Sequence, residues 1–343
     1  MKDDNEILAA RNCFPYEHIK TDNPSFSELQ DNPVAFFCSE YGLEQKLPIY
    51  AGGLGVLAGD FVLTAGEMDL PLVAIGLMYN KGFPAYGKED QELNPQDGGF
   101  SILKNDEGRE IILDIEAGDD VIYARVWVRA YNSAHVFLLD TDIERNPKEY
   151  RAISHYLYST DFPTKLLQDF MLGVGGVKLL RCLDIQPKIY HANEGHASFV
   201  MMALAVEYMH DNPDITSLHE AIKIVKRNIV GTKHTILSGA GLHFDRETLM
   251  GIVDKYLKRH GVRFEDFFVY GADKAHGEDI FSTTKLLITG SARANAVSLL
   301  HATFEKRDHP HSKLLAITNG VCVSRWRAPE WGDRGIGQLT DKD

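Results

Sequence analysis

Cysteine is scarce in this chain. Four occur in 343 residues, at 13, 38, 182 and 322, and none forms a C-x-x-C pair. That spacing opposes a structural zinc site or a disulfide framework and makes a reducing cytoplasm the default compartment. Long apolar runs are also lacking. A stretch such as Leu70 to Tyr79 is too short to span a bilayer. The segment Met1 to Lys20 is polar and charged, without the apolar core of a signal peptide. Cations are outnumbered, with 36 Lys and Arg against 49 Asp and Glu, for a formal net charge of −13. Nucleic-acid binders draw affinity from cationic contacts, so neither a nucleic acid nor a membrane is expected as a partner. Internal repeats and low-complexity tracts are missing as well.

What is present is an ordinary globular composition, 44% hydrophobic and 25% charged, long enough for one large or two ordinary domains. Val34 to Cys38 reads as a buried strand. A glycine loop follows, then a helical pattern from Val56 to Met68, and Leu72 to Tyr79 reads as a second buried strand. This succession predicts a βαβ unit and a parallel sheet. Residues 80–140 change character, and their β-formers predict antiparallel strands inserted in the α/β layer. Helix is predicted over 151–186 with a break near Pro163, over 194–210, 218–227, 246–260 and 282–306. Strands are predicted at 188–191, 229–232 and 314–317. The segments 1–33 and 328–343 read as a surface arm and a polar tail.

The most informative stretch is Tyr50-Ala51-Gly52-Gly53-Leu54-Gly55-Val56-Leu57-Ala58-Gly59-Asp60. Glycines before a helix let backbone N–H groups approach an anion, and the helix N-terminus adds a favourable partial charge. A tight packing turn is the plainer reading. A dinucleotide site is opposed twice. The preceding strand lies more than ten residues upstream, and the next ends in Met78-Tyr79-Asn80-Lys81 without an acid. His191-Ala192-Asn193-Glu194-Gly195-His196 lies between a strand and a helix. Asn193 suits a helix N-cap and Glu194 the first turn. Two histidines and a carboxylate are metal-ligand types, but their spacing matches no metal motif, and no metal is predicted. Gly231-Thr232-Lys233-His234-Thr235 follows a predicted parallel strand, where open α/β sheets bind ligands.

Together these motifs resemble the α-glucan (glycogen, maltodextrin and starch) phosphorylase family of the short bacterial and archaeal type. The resemblance rests on Ser39-Glu40-Tyr41-Gly42-Leu43, the run from Leu47 to Asp60, the histidine segments at 191–196 and 231–235, Met171 to Val177, Ala292 to Ser298 and Thr318-Asn319-Gly320-Val321. It extends from about Val34 to Trp326. It implies a single Rossmann-like N-terminal lobe of a GT-B glycosyltransferase, spanning 34–327, with the β-rich insertion at 80–140. The implied activity is reversible phosphorolysis of a terminal α-1,4 glucosyl bond to glucose 1-phosphate. The implied partners are an α-glucan or maltodextrin and inorganic phosphate. His234 would act at the transferred glucosyl unit. Gly52, Gly53 and Leu54 would face the phosphates, and Glu40, Glu194, His196 and Thr235 would serve substrate binding. Met171 to Val177 would serve packing alone.

The family binds pyridoxal phosphate on a lysine of a second lobe, within a Gly-Thr-rich segment ending in Met-Lys. No such segment occurs here, so no covalent cofactor is expected on this chain, and the chain alone is expected to be inactive. A separate C-terminal lobe, or self-association, would cover the exposed face. A free-standing α-glucan- or anion-binding module is the alternative. A nucleotide-sugar synthase ranks below it, because that family carries a lysine where Tyr50 stands. Departures from the family pattern fall at Lys233, Ser238, Ala296 and Ala302.

Overall fold

A computed structural model describes residues 19–84, 92–236, 243–308 and 314–328. Much of the predicted arm, nearly all of the polar tail and Ser238 lie outside these residues. Along the chain come β1 (Val34–Cys38), β2 (Tyr41–Glu44), β3 (Leu47–Ile49), α1 (Gly53–Glu67), β4 (Leu72–Leu77), β5 (Ser101–Ile102), β6 (Ile112–Ala117), β7 (Asp120–Tyr131) and β8 (Ala134–Asp140). There follow α2 (Phe162–Phe170), α3 (Gly176–Cys182), β9 (Ile189–Asn193), α4 (Phe199–Asp211), α5 (Leu218–Val225), β10 (Ile229–Lys233), β11 (His243–Asp245), α6 (Arg246–Arg259) and α7 (Phe264–Phe268). The last are β12 (Ile280–Ser282), α8 (Thr283–Gly290), β13 (Arg293–Ala296), α9 (Leu299–Asp308), β14 (Leu315–Ala316) and α10 (Val323–Trp326).

Ten strands form one sheet in the order β14-β13-β10-β9-β1-β4-β8-β7-β5, with β6 also on β7. From β14 to β8 every pairing is parallel. β1, β4 and β8 are buried at every residue, as strands covered on both faces must be. β6 and β7 alternate buried and half-buried positions and pair antiparallel, as predicted for 80–140. β8 also pairs antiparallel with β7, from Arg125 opposite Asp140 to Tyr131 opposite Ala134. On its other side it runs parallel to β4, with Leu72 opposite Ala134, so it joins the inserted antiparallel strands to the parallel layer and is buried throughout.

Three predicted helices are interrupted. Over 151–186, a π-helical turn at Met171–Gly175 joins α2 to α3. A Cβ on Gly173 would strike the backbone of Phe199 and Val200, and one on Gly176 the ring of Phe37, so these glycines permit close helix contact. Over 282–306, Gly290 ends α8, and Arg293 to Ala296 joins the sheet beside β10 before α9 begins. After β9, a single 3₁₀ turn at Gly195–Ala197 precedes α4, which starts at Phe199. Asn193 is therefore the last residue of a strand and not a helix cap.

β1, β9 and β10 align so that Cys38 stands opposite Asn193, and Asn193 opposite Thr232. The residues that follow each strand consequently emerge on one edge of the sheet, the C-terminal edge where open α/β folds place ligands. No helix among the described residues is long and apolar enough to cross a membrane.

Candidate functional site

The glycine loop is tied down from one side. Buried Glu40, two residues past β1, accepts backbone N–H groups with Oε2 from Ala51 and, at 3.4 Å, from Gly52. Its Oε1 accepts the Tyr158 hydroxyl at 2.9 Å. The first turn of α1 then leaves the N–H groups of Gly53, Leu54 and Gly55 without acceptors among the described residues, as helix starts do. A Cβ built on Gly52 or Gly53 would meet nothing within 4 Å among the described residues, whereas Gly55 is hemmed in by Tyr50 and Glu40. Packing within this chain thus requires Gly55 but neither Gly52 nor Gly53. Their bare backbones form an open cradle at a helix N-terminus.

The second loop is held in the same manner. Glu194 is buried and sits at φ 76°, ψ 166°, a region that residues with a Cβ seldom occupy. Its Oε2 accepts the backbone N–H of His234 and of Thr235, both at 2.8 Å, and its Oε1 accepts that of Gly195 at 3.1 Å. Asn193 Oδ1 accepts His234 Nε2–H at 2.8 Å. That bond assigns the proton to Nε2 and leaves Nδ1 without a partner among the described residues. Burial, partly offset by Glu194, lowers the His234 pKa, so the imidazole is neutral at neutral pH. Glu194 thus faces backbone N–H groups.

His191 and His196 do not converge with Glu194 on a common point. His191 Nε2 meets Thr232 Oγ1 at 2.8 Å, and its ring stands edge-on to Phe36 and Phe61. Burial, with His234 adding to it, depresses its pKa to about 4. Buried His196 hydrogen-bonds Asp169 of α2 at 2.9 Å and lies against the Tyr158 ring. Lys233 turns to the opposite face from His234, as alternation along a strand requires. Its ammonium makes a buried ion pair with Glu305 at 2.5 Å, and His301 meets the other carboxylate oxygen at 3.3 Å. Ala296 and Ala302 are both buried. Beyond Thr318-Asn319-Gly320-Val321, Asp60 of α1 accepts from the Cys322 N–H, Arg325 and the Trp326 indole, which docks α10 onto α1.

Two participants escape a reading of the sequence. Tyr158 holds φ 58°, unusual for a bulky residue, and bridges Glu40 and His196. Asp169 looks like an ordinary polar residue of a helix. Its only signal is an acid on the side of α2 that carries Leu166 and Phe170.

Fold and edge together define a Rossmann-like lobe with two carboxylate-held loops at the C-terminal ends of its central strands. The chain is a homologue of proteins named maltodextrin phosphorylase and glycogen phosphorylase. It is 32% identical over 341 residues to the maltodextrin phosphorylase of Thermococcus litoralis, covering 94% of this chain and 40% of that protein. It is 28% identical to the glycogen phosphorylases of Mycobacterium tuberculosis (87% of this chain, 37% of that protein) and Aquifex aeolicus (91% and 46%). The chain therefore spans less than half the length of these curated relatives. No protein-family model matches it.

Proposed function

We propose that this chain is the N-terminal, glucan-facing lobe of an α-1,4-glucan phosphorylase, and that a second lobe outside this sequence supplies the cofactor. One observation carries the reading. The open cradle at Gly52–Leu54 and the His234 loop share one sheet edge, each fixed by a buried carboxylate. In phosphorolysis, a phosphate oxygen displaces the glycosidic oxygen at an oxocarbenium-like carbon. Helix-terminal N–H groups at Gly53 and Leu54 suit the attacking phosphate. Neutral His234 offers Nδ1 as a hydrogen-bond acceptor to a hydroxyl of the transferred glucosyl unit. Thr235 lies beside it. Glu40 and Glu194 act as positioning residues, because their oxygens are committed to backbone N–H groups and to Tyr158. His196, held by Asp169, stands on the same edge for the rest of the glucan.

Lys165, Lys233 and Lys285 are not placed to hold pyridoxal phosphate. Lys233 and Lys285 are paired with Glu305 and Asp273. Lys165 lines a cavity of about 10 Å³, room for one water. No step is therefore assigned to the cofactor here. Leu299, Leu300, Leu315 and Ile317 are exposed on and near β14, and Val321 and Trp326 are exposed where α10 docks on α1; exposed apolar side chains of this kind favour coverage by another lobe.

Calorimetric titration with maltoheptaose in phosphate buffer tests the reading. Binding in the millimolar range, lost in His234→Ala and weakened in Gly53→Ala, is the expected result. Absence of binding, or equal binding by both variants, refutes the site. Glucose 1-phosphate release by the chain alone refutes the assignment of the cofactor to another lobe.

A further inference from the structure

We propose a transition-metal site, of the zinc class, formed by His243 Nε2, Asp273 Oδ2 and His276 Nδ1 on the side of the lobe built by β11 and β12. The three ligand atoms lie within 4.8 Å of one another. His243 Nε2 is 3.1 Å and His276 Nδ1 3.0 Å from the same carboxylate oxygen. Ligand atoms at the corners of a tetrahedron around zinc are separated by about 3.4 Å, given metal–ligand distances near 2.1 Å. The two nitrogen–oxygen separations are close to that value, and the two nitrogens lie within 4.8 Å of each other.

The site is assembled from two parts of the chain. His243 opens β11, and the pairing of β11 with β12 sets its distance from the turn that precedes β12. Asp273 and His276 share that turn, closed by the His276 N–H on the Asp273 carbonyl at 2.9 Å. The two imidazoles have ring centroids 4.2 Å apart, with their planes tilted by 36°. One nitrogen of each ring is thereby gathered with the same carboxylate oxygen, so the three donor atoms form one cluster.

The surroundings orient the carboxylate. Lys285 Nζ lies 2.8 Å from Asp273 Oδ1, and the Ala275 N–H donates to the same oxygen at 3.3 Å. These contacts occupy Oδ1 and leave Oδ2 to the metal, the part outer partners play around metal ligands. Asp273 is buried and His276 exposed, so the fourth position opens to water. Two imidazoles and one carboxylate suit zinc, cobalt, nickel or copper and disfavour calcium and magnesium. The Lys285 charge moderates the affinity. Such an ion would cross-link residue 243 to the turn at 273–276.

Untagged full-length chain, stripped with a chelator, would be titrated with zinc by calorimetry and with cobalt by visible absorption. One equivalent of metal is expected, with the strong visible bands of four-coordinate cobalt. His243→Gln and His276→Gln should each weaken binding roughly tenfold or more and abolish the bands, with circular dichroism unchanged. His276 is exposed, so its variant tests the site without disturbing the core. No uptake at about 0.1 mM zinc, undiminished binding in the variants, or loss in only one of them would overturn the three-ligand assignment.

Discussion

Glu194 offers the sharpest test of how the His234 loop is built. Replacement by Ala removes a carboxylate that accepts two N–H groups at 2.8 Å and a third at 3.1 Å. Hydrogen bonds to a charged acceptor contribute about 1.5–3 kcal/mol each when buried. Water can reach half-buried His234 and Thr235, so the net loss should be about 3 kcal/mol. Ala keeps the strain of φ 76°, ψ 166°. Gly loses the same bonds but releases strain of about 1–3 kcal/mol, against an unfolded-state entropy cost of about 0.4–1 kcal/mol. Glu194→Gly should therefore be more stable than Glu194→Ala by about 1 kcal/mol, the reverse of the usual order of these residues. Urea unfolding followed by circular dichroism measures both. Amide hydrogen exchange at His234 and Thr235 should accelerate in each variant. If Ala proved the more stable, the strain reasoning would fail. If exchange at 234 and 235 were unchanged, Glu194 would not hold the loop.

Two further outcomes follow from the same contacts. Gly55→Ala places a Cβ into Tyr50 and 3.0 Å from Glu40 Oε2, and should cost about 1–3 kcal/mol in urea unfolding, whereas Gly52→Ala, facing open space, should leave the midpoint unchanged. His191 binds its proton near pH 4 in the fold and near 6.5 when unfolded, so stability is full above pH 6.5 and falls as pH drops toward 4. Between pH 7.5 and 5 that loss is at most about 2 kcal/mol. His191→Gln should flatten the stability curve over this window, and an unchanged slope would remove His191 as its source.

Much of the fold was legible because strands buried on both faces are continuous apolar runs. Val34 to Cys38 and Leu72 to Leu77 announce themselves in this way. β13 was not legible, since Arg293-Ala294-Asn295-Ala296 carries helix formers and becomes a strand only by pairing with β10. The parallel pairing of β8 with β4, beside its expected antiparallel pairing with β7, was hidden for a related reason. An apolar run declares burial, and only the partner decides parallel or antiparallel. At the site, the motifs located Glu40, Glu194 and His234, but residue type suggested that the carboxylates meet a ligand. Their attachment to backbone N–H groups depends on the positive φ at 194 and on the Tyr158 contact, which no local pattern encodes. His243, Asp273 and His276 were invisible in sequence because thirty residues separate the first two, and the β11–β12 pairing alone unites them.

The central strand has a consequence for how the lobe comes into being. β1 pairs on one side with β4, close behind it in the chain, and on the other with β9, where Val34 meets Ile189. Contacts between such distant residues are slow to form, because a long loop must close before any pairing repays it. On a ribosome, the β1–β4 layer is exposed while more than a hundred further residues are made. Only when β9 arrives does Asn193 come to rest beside Cys38, and only after β10 is in place does Glu194 find the His234 backbone. The edge that carries the candidate site is thus completed late in folding, and a chain interrupted before residue 234 would lack the His234 loop while keeping the glycine cradle held by Glu40.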